Sequence, residues 1–247
     1  MNSIIVANWK MNPASASEAK KLFEATRRAG ESVKNVSIVV APPTIFLREL
    51  TKFYKGRTIA FAAQNGHSES AGAFTGDISM PQIKDAHAVY VIIGHSERRA
   101  AGETNETMGK KVVAALTAKI APILCVGELK RTASGEYFRF IRDQLRAGLA
   151  EVPAGKITQC IVAYEPVWAI GGEEMLDPHD MHEMSIFIRK TIVEMHGERG
   201  MAVKVLYGGS VNETNAHRML LDGNADGFLI GHVSVNPYRF AALLESL

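Results

Sequence analysis

The sequence has few of the features that mark secreted or membrane proteins. It has two cysteines in 247 residues, too few for a disulfide framework. Both Cys125 and Cys160 stand in apolar runs, so buried thiols and a reducing, cytoplasmic location are expected. No apolar run approaches the roughly 20 residues of a membrane helix. The start lacks a basic segment and a cleavage site, so no signal peptide is expected.

Charge of either sign is not in excess, since 28 Lys and Arg stand against 26 Asp and Glu, a net charge of +2. This balance gives no reason to expect nucleic acid or a membrane surface as a partner. With 47% hydrophobic and 22% charged residues, a soluble globular protein is indicated. No linker, low-complexity segment or charge run divides the chain, and one domain over residues 1–247 is predicted.

Eight short apolar runs are present instead of long ones. They are nearly continuous rather than alternating, as expected for parallel strands that are covered on both faces. Pro122 in the fifth run is tolerable near a strand start. The runs are Ile4–Ala7, Val36–Val40, Ile59–Ala63, Val89–Ile93, Ile120–Val126, Cys160–Tyr164, Val203–Tyr207 and Gly227–Ile230.

Helical patterns lie between these runs. Ser15 and Glu18 form a predicted capping box, and the second helix is predicted to bury Ile45 and to stop at Gly56. Eight strand–helix units in this length predict an α/β fold, a single-domain (β/α)₈ barrel with eight parallel strands. An open doubly wound sheet is the alternative, but no G-x-G-x-x-G follows the first strand.

The segment from Ile161 to Gly172 combines an apolar strand, a carboxylate and a loop, and it allows two interpretations. Its strand ends in Glu165, and a carboxylate at an apolar strand end is costly unless something uses or satisfies it. Apolar residues then continue on a loop, at Trp168 and Ile170. A base under a movable lid is one interpretation, and a capped strand before an ordinary helix is the other.

In such a barrel the active site lies at the carboxyl ends of the strands. These ends supply a base, an electrophile, a cation and two glycine-rich turns. The two turns follow strands seven and eight, where barrels of this kind usually bind phosphate. The polar groups are Asn8 and Lys10, Gln64 and Asn65, His95, Glu128, Glu165, Gly208–Gly209–Ser210 and Gly231–His232.

Several of these motifs resemble the triosephosphate isomerase family, in the right order from strand one to strand eight. The matching runs are VANWKMN (6–12), AQN (63–65), GAFTGD (72–77), IIGHSERR (92–99), CVGE (125–128), AYEPVWAIG (163–171), YGGSV (207–211) and DGFLIG (226–231).

The resemblance implies interconversion of dihydroxyacetone phosphate and glyceraldehyde 3-phosphate. Glu165 would move a proton between C1 and C2, and neutral His95 would stabilise the enediolate. Lys10 would add positive charge, positioned by Asn8, with Glu97 in the same network. No metal or organic cofactor is expected, because a proton shuttle and an oxyanion site suffice.

Further roles follow from the same resemblance. Ser96 is expected to cap a short helix whose dipole keeps the imidazole neutral. Arg98 and Arg99 belong either to the site or to an ion-pair network at the rim, and Glu128 is expected to be structural. Backbone N–H groups of Gly171, Ser210, Gly231 and His232 would hold the phosphate. The lid would comprise Pro166, Val167, Trp168, Ala169, Ile170, Gly172, Glu173 and Glu174.

The long loop at residues 65–79 is expected to be functional, with a solvent loop as the alternative. Phe74 between small residues suggests an anchor for a partner. In the family, the corresponding loop inserts into the neighbouring subunit near its Lys10. Phe74 and Thr75 therefore imply a homodimer.

Two positions depart from the family. The family's lid tip reads Gly-Thr-Gly-Lys, whereas Gly172, Glu173 and Glu174 follow Gly171 here. This difference predicts an altered closing equilibrium and a lower KM on reversion to Gly-Lys. The second glycine after strand eight is His232, where positive φ would be costly. Either its ring turns away and only its N–H serves the phosphate, which is the preferred interpretation, or its imidazole adds a contact to the phosphate.

Two other functions are kept as alternatives. One is isomerisation of a related four-carbon ketose phosphate, because both departures lie where substrate size and phosphate position are set. The other is a phosphosugar-binding protein without activity, against which the joint presence of Lys10, His95 and Glu165 argues.

Overall fold

The eight apolar runs form eight parallel strands that close into a barrel in chain order. The computed structural model describes residues 3–132, 134–171 and 175–247. Closure is made by β1 against β8, where Ile4 pairs with Gly227 and Ala7 with Ile230. The predicted (β/α)₈ barrel is confirmed. The strands are β1 (Ser3–Asn8), β2 (Val36–Ala41), β3 (Ile59–Ala63), β4 (Tyr90–Ile93), β5 (Ala121–Val126), β6 (Ile161–Tyr164), β7 (Lys204–Tyr207) and β8 (Gly227–Ile230).

The strands are apolar on both faces because each face meets a separate core. Val6, Val39 and Ile123 belong to a small cluster inside the barrel. Their neighbours Ile5 and Val40 face outward into the larger cluster between strands and helices. Successive strand residues point to opposite faces, so alternate positions fill the two cores and the sequence reads as a continuous apolar run.

Helices cover the outside of the barrel between successive strands. Ser15 accepts a hydrogen bond from the Glu18 N–H, which is the serine half of the predicted capping box. Asp177 caps the longest helix at His179 N–H, with Pro178 as its first residue. The helices are α1 (Ala16–Glu31), α2 (Thr44–Phe53), α3 (Met80–Asp85), α4 (Ser96–Ala100), α5 (Asn105–Thr117), α6 (Glu136–Leu149), α7 (Pro178–His196), α8 (Ala216–Leu221) and α9 (Pro237–Glu245).

One predicted core residue of α2 lies on the surface. Ile45 is 80% exposed, whereas Leu47 and Leu50 are buried. Ile45 stands in the first turn of α2, before the buried stripe of Phe46, Leu47 and Leu50. The prediction that Ile45 is buried was therefore wrong.

Both thiols agree with the sequence-based expectation. Cys125 and Cys160 are free and buried. Burial raises the pKa of Cys160 to about 12. Across the ranges that the structure describes, no helix is both long and apolar enough to cross a lipid bilayer.

Candidate active site

The carboxyl ends of the strands surround a cavity of about 510 Å³. Predicted site residues from both halves of the chain meet here, although they are far apart in sequence. Parallel strands of a closed barrel end at the same rim, so side chains at those ends converge. Among the predicted residues, the lining includes Asn8, Lys10, His95, Glu165, Gly171, Ser210, Gly231 and His232.

Glu165 directly follows β6 and is only 2% exposed. Its Oε2 accepts the Ser96 N–H at 2.9 Å, and its Oε1 lies 3.2 Å from His95 Nε2. Burial raises the pKa of this carboxyl, although His95 and the Ser96 N–H act in the opposite direction. Gly208 leaves room for the side chain, because a Cβ there would lie 2.8 Å from Glu165 Cγ. This arrangement favours proton uptake by Glu165.

His95 itself caps the short helix α4. Its Nδ1 accepts the Glu97 N–H at 3.3 Å, and Ser96 is the first residue of the helix. The expectation that Ser96 is the cap was therefore wrong. Because Nδ1 is an acceptor, the neutral ring carries its proton on Nε2, the atom nearest Glu165. Ser96 contributes its backbone N–H to Glu165 instead.

Lys10 is held in an unusual backbone conformation, with φ of 52°. Its N–H donates to Asn8 Oδ1 at 3.1 Å, and its carbonyl accepts from Gln64 Nε2 at 2.8 Å. Its Nζ lies 2.6 Å from Glu97 Oε1. Burial raises the pKa of Glu97, but the hydrogen bond and charge of Lys10 outweigh this, so the net pKa is below its usual range. These contacts place Asn8 and Glu97 as predicted around Lys10.

The glycine-rich turns form the other end of the cavity. A Cβ at Gly231 would lie 2.7 Å from Lys10 Cε, so a side chain here would displace the end of the lysine from its observed position. Ser210 Oγ donates to the Ala169 carbonyl at 2.7 Å and joins the turn after β7 to the segment after β6. Gly171 has a positive φ of 70°.

His232 does not have the strained conformation that the sequence suggested. It begins a 3₁₀ turn, His232–Val235, and is not among the described non-glycine residues with positive φ. The expected backbone cost is therefore absent. The exposed side chain lies at the cavity.

The segment after Glu165 forms one 3₁₀ turn, Val167–Ala169, that begins after Pro166. Glu128 Oε1 accepts hydrogen bonds from Tyr164 Oη at 2.8 Å and from Trp168 Nε1 at 2.9 Å. Glu128 is thus a buried brace that joins the end of β6 to this turn.

The rest of the predicted lid is only partly described. Ala169 is buried and Ile170 is half-buried at the cavity. Gly172, Glu173 and Glu174 lie outside the described residues. The altered lid equilibrium therefore stays a prediction.

Arg98 and Arg99 have different environments. Arg98 pairs with Glu103 at 2.8 Å, as expected for an ion-pair network. Arg99 donates to the carbonyls of Gly94 and Cys125, at 2.8 and 2.7 Å. Arg99 therefore joins the segment just after β4 to the end of β5.

The loop at residues 65–79 presents Phe74 at the surface, with 42% of the residue exposed. Its ring centroid is 4.1 Å from that of His67. The His67 Nδ1 accepts the Glu69 N–H at 3.0 Å, and a β-bridge joins His67 to Ser79. The loop is thus shaped by its own contacts and presents Phe74 and the exposed Thr75 outward.

Two further polar residues, which the strand-end rule did not select, line the cavity. Asn212 lies beyond the Gly208–Ser210 turn, and Arg239 lies in the first turn of α9. Arg239 is eight positions after Gly231, so no local pattern connects it with the site. Gln64, which the rule did select, instead braces the backbone of Lys10 and Ala41.

No group of three or more His, Cys, Asp and Glu side chains within the described ranges could hold a metal ion. The groups that converge in the cavity are a buried carboxylate, an imidazole and an ammonium group next to glycine-rich turns.

This fold and these groups define a (β/α)₈-barrel enzyme whose site can combine proton transfer with anion binding. The family model described as triosephosphate isomerase matches residues 3–247. The chain belongs to the triosephosphate isomerase family.

Three bacterial relatives are similar over nearly the whole chain. A triosephosphate isomerase of Endomicrobium trichonymphae is 42% identical over 244 residues, which are 98% of this chain and 97% of the relative. One of Moorella thermoacetica is 38% identical, over 98% of this chain and 97% of its own. One of Aquifex aeolicus is 38% identical over the full length of both chains.

Proposed function

We propose that this enzyme interconverts dihydroxyacetone phosphate and D-glyceraldehyde 3-phosphate, a step of glycolysis. The observation that carries the proposal is the placement of Glu165 and His95 at 3.2 Å in one cavity with Lys10. The reaction moves a proton between two neighbouring carbons, and it requires a base, a group that stabilises the oxyanion and a site for the phosphate. Family membership supports the same assignment.

Glu165 is the proposed base. Its carboxylate would remove a proton from C1 of dihydroxyacetone phosphate and return it to C2. The exchange balances when the proton of the C1 hydroxyl also moves to the oxygen on C2, so that one carbon-bound proton and one oxygen-bound proton are each transferred and none is lost. The raised pKa of the buried carboxyl improves the match between this base and neutral pH.

His95 and Lys10 are the proposed stabilisers of the intermediate. With Nδ1 occupied by the Glu97 N–H, the imidazole presents its Nε2 proton as a hydrogen-bond donor to the substrate oxygens. Lys10 adds positive charge and is held by Asn8 and Glu97. An enediolate carries negative charge on oxygen, which these groups would stabilise.

The phosphate is proposed to bind at the opposite end of the cavity. The backbone N–H groups of Gly171, Ser210, Gly231 and His232 would hold it, since short glycine-rich turns allow an anion to approach the backbone closely. The lid, Pro166–Glu174, would exclude water and so prevent the enediolate from losing phosphate.

We also propose a homodimer, one domain over residues 1–247 and a cytoplasmic location. The exposed Phe74 on a loop shaped by its own contacts supports the dimer. The absence of a second cluster of strands supports the single domain, within the residues described. Two free, buried thiols support a reducing compartment.

Steady-state turnover of glyceraldehyde 3-phosphate tests the proposed reaction. We expect efficient turnover that falls by about 10³-fold or more in Glu165→Gln, because the amide cannot accept the proton. Glu103→Gln is the matched control, since it replaces a largely buried carboxylate that pairs with Arg98 and Lys111 and does not line the cavity.

The same assay separates the two alternatives. Slow use of glyceraldehyde 3-phosphate with efficient use of a four-carbon ketose phosphate would replace the proposal with the longer substrate. Binding of both sugars without turnover of either would indicate a phosphosugar-binding protein.

A further inference from the structure

The cavity extends past the glycine-rich turns to a second set of polar side chains. His232, Arg239 and Asn212 line it together with Ser210 and Gly231. Arg239 approaches from the first turn of α9, where the Asn236 side chain caps its N–H at 3.2 Å. A basic side chain thus borders the end of the cavity that is assigned to the phosphate.

The Arg239 guanidinium is only loosely paired. Its Nη2 lies 3.6 Å from Glu213 Oε2, longer than the roughly 2.7–2.9 Å of a charge-assisted hydrogen bond. No hydrogen bond from the residues that the structure describes reaches this buried carboxylate oxygen. Arg239 therefore retains donors that could serve a ligand.

Lys10 is not available in the same way. Its ammonium group is 2.6 Å from Glu97, and it lies against Gly231 beside the reacting groups. The side chain of Arg239 is 43% exposed and the His232 residue is exposed. The cavity thus has Lys10 beside the proposed catalytic groups, and Arg239 with His232 farther out beside the glycine-rich turns.

We propose that Arg239 and His232 form a second anion subsite beside the phosphate site, for ligands with two neighbouring anionic groups such as diphosphates. One phosphoryl group binds the backbone N–H groups of the turns, and the second binds the Arg239 guanidinium. A guanidinium presents a planar fork of donors that matches phosphate oxygens. This inference rests on the proposed function only for the location of the first phosphate.

Isothermal titration calorimetry with inorganic phosphate and inorganic pyrophosphate tests the subsite, at constant ionic strength and with a chelator present. The measured quantity is the ratio of the two dissociation constants. We expect the wild type to bind pyrophosphate about tenfold more tightly, and Arg239→Gln to reduce the preference to about twofold. Arg218→Gln is the control, because Arg218 pairs with Asp222 at a similar 3.5 Å on α8.

Glu213→Gln tests the same subsite with the opposite sign. It removes the acid that faces Arg239 and is expected to increase the preference for pyrophosphate above the wild-type value. This variant keeps the test valid if Arg239→Gln does not fold. His232→Gly, which restores the residue type of the family, is expected to lower the preference by about twofold.

An unchanged ratio in Arg239→Gln together with Glu213→Gln would overturn the proposal. An equal loss for both anions, or an equal fall of the ratio in Arg218→Gln, would also overturn it, because each indicates a general effect of charge. Calorimetry does not depend on turnover. Absent turnover with an intact ratio would therefore reject the proposed function alone.

Discussion

The chemistry of individual residues here is set by what surrounds them. Glu165 and Glu97 are both near His95, but Glu165 is almost fully buried and Glu97 is largely exposed beside Lys10. Burial raises the pKa of Glu165, whereas the hydrogen bond from Lys10 overcomes burial and lowers the pKa of Glu97. Two identical carboxylic acids are thereby separated into the proposed base and an ion-pair partner.

This difference predicts opposite effects on stability. The pKa of Glu165 is higher in the folded chain than in the unfolded one. Its contribution to the stability of the fold is therefore fully present below the unfolded pKa, about 4.3. This contribution is lost as the pH rises through the folded pKa. Glu165→Gln is expected to raise the Tm by about 2–4 °C at pH 8, and the gain should vanish near pH 4. Calorimetric or fluorescence melting as a function of pH measures this.

Glu97→Gln is the matched control. The pKa of the Glu97 carboxyl is lowered in the folded state, so its contribution to the stability of the fold is present above the unfolded pKa. That contribution disappears as the pH falls through the folded pKa. The Glu97 variant should therefore gain nothing at pH 8. Equal shifts for both variants across the pH range would show that the amide, not the charge, causes the effect.

At the level of elements, the turn after β6 is joined to the barrel by a few hydrogen bonds. Glu128 receives both the Trp168 indole N–H and the Tyr164 hydroxyl on the same oxygen. The first donor is on the turn and the second is at the end of the strand. One carboxylate thus serves both the stability of the barrel and the position of the lid segment.

The two donors should be separable by mutation. Trp168→Phe removes the indole N–H on the turn together with part of the ring, so the observed arrangement of the lid segment loses about 1 kcal/mol and other arrangements gain population. We expect KM for glyceraldehyde 3-phosphate to change by about threefold, with a stability change below about 1 kcal/mol.

Tyr164→Phe is the comparison for this prediction. It removes the other donor from the same oxygen, but at the buried end of β6, and it should cost about 1–3 kcal/mol of stability with KM unchanged. Kinetics and denaturant unfolding of both variants measure the difference. Equal changes of KM in both variants would contradict the prediction, because they would show that the two hydrogen bonds to Glu128 do not have separate effects on the lid segment and on the strand.

For the whole molecule, closure of the barrel depends on a close approach between its first and last strands. Gly227 has φ of 147°, and a Cβ at that position would lie 1.9 Å from the Ile4 carbonyl oxygen. Both conditions demand glycine. The pairing of β1 with β8 brings Lys10 beside Gly231, so the geometry of the site depends on closure.

Gly227→Ala is accordingly expected to destabilise the fold by about 3 kcal/mol or more. Gly102→Ala is its control, because Gly102 also has a positive φ, 101°, but a Cβ there would meet no atom of the described residues within 4 Å beyond its chain neighbours. That control should cost only about 1 kcal/mol, from backbone strain alone. Urea unfolding measures the free energy of unfolding of both variants. Gly227→Ala adds a steric clash to the backbone strain, whereas Gly102→Ala adds the strain alone. Equal losses of stability would contradict the role of the close approach of β1 and β8.

The proposed dimer is also tested on the whole molecule. Phe74→Asp should convert the dimer to monomers, since burying a carboxylate in an apolar interface is costly. Phe53→Asp is the control, because Phe53 is exposed to a similar degree, 45% against 42%, but lies on α2. Sedimentation velocity measures both, and a wild type that sediments as a monomer would reject the proposal.

Much of this protein could be predicted from sequence because its signals are local. Continuous apolar runs of four to seven residues indicated each of the eight strands to within one or two residues of its observed ends. The residue that follows each run is then a residue at the rim of the barrel. The strand-end rule placed Lys10, His95 and Glu165 at the rim, within three residues of a run, since parallel strands end on the same side, and the family resemblance supplied their expected roles.

The sequence alone thus determined the strands, the order of the barrel and the three residues proposed for the chemistry. Tertiary structure alone decided that His95, not Ser96, caps α4, that Ile45 is exposed, that His232 has no strained φ, and that Arg239 borders the phosphate end. The physical reason is the separation along the chain of the residues that interact. Strand propensity acts between neighbours, whereas caps, burial and cavity walls depend on where distant segments pack.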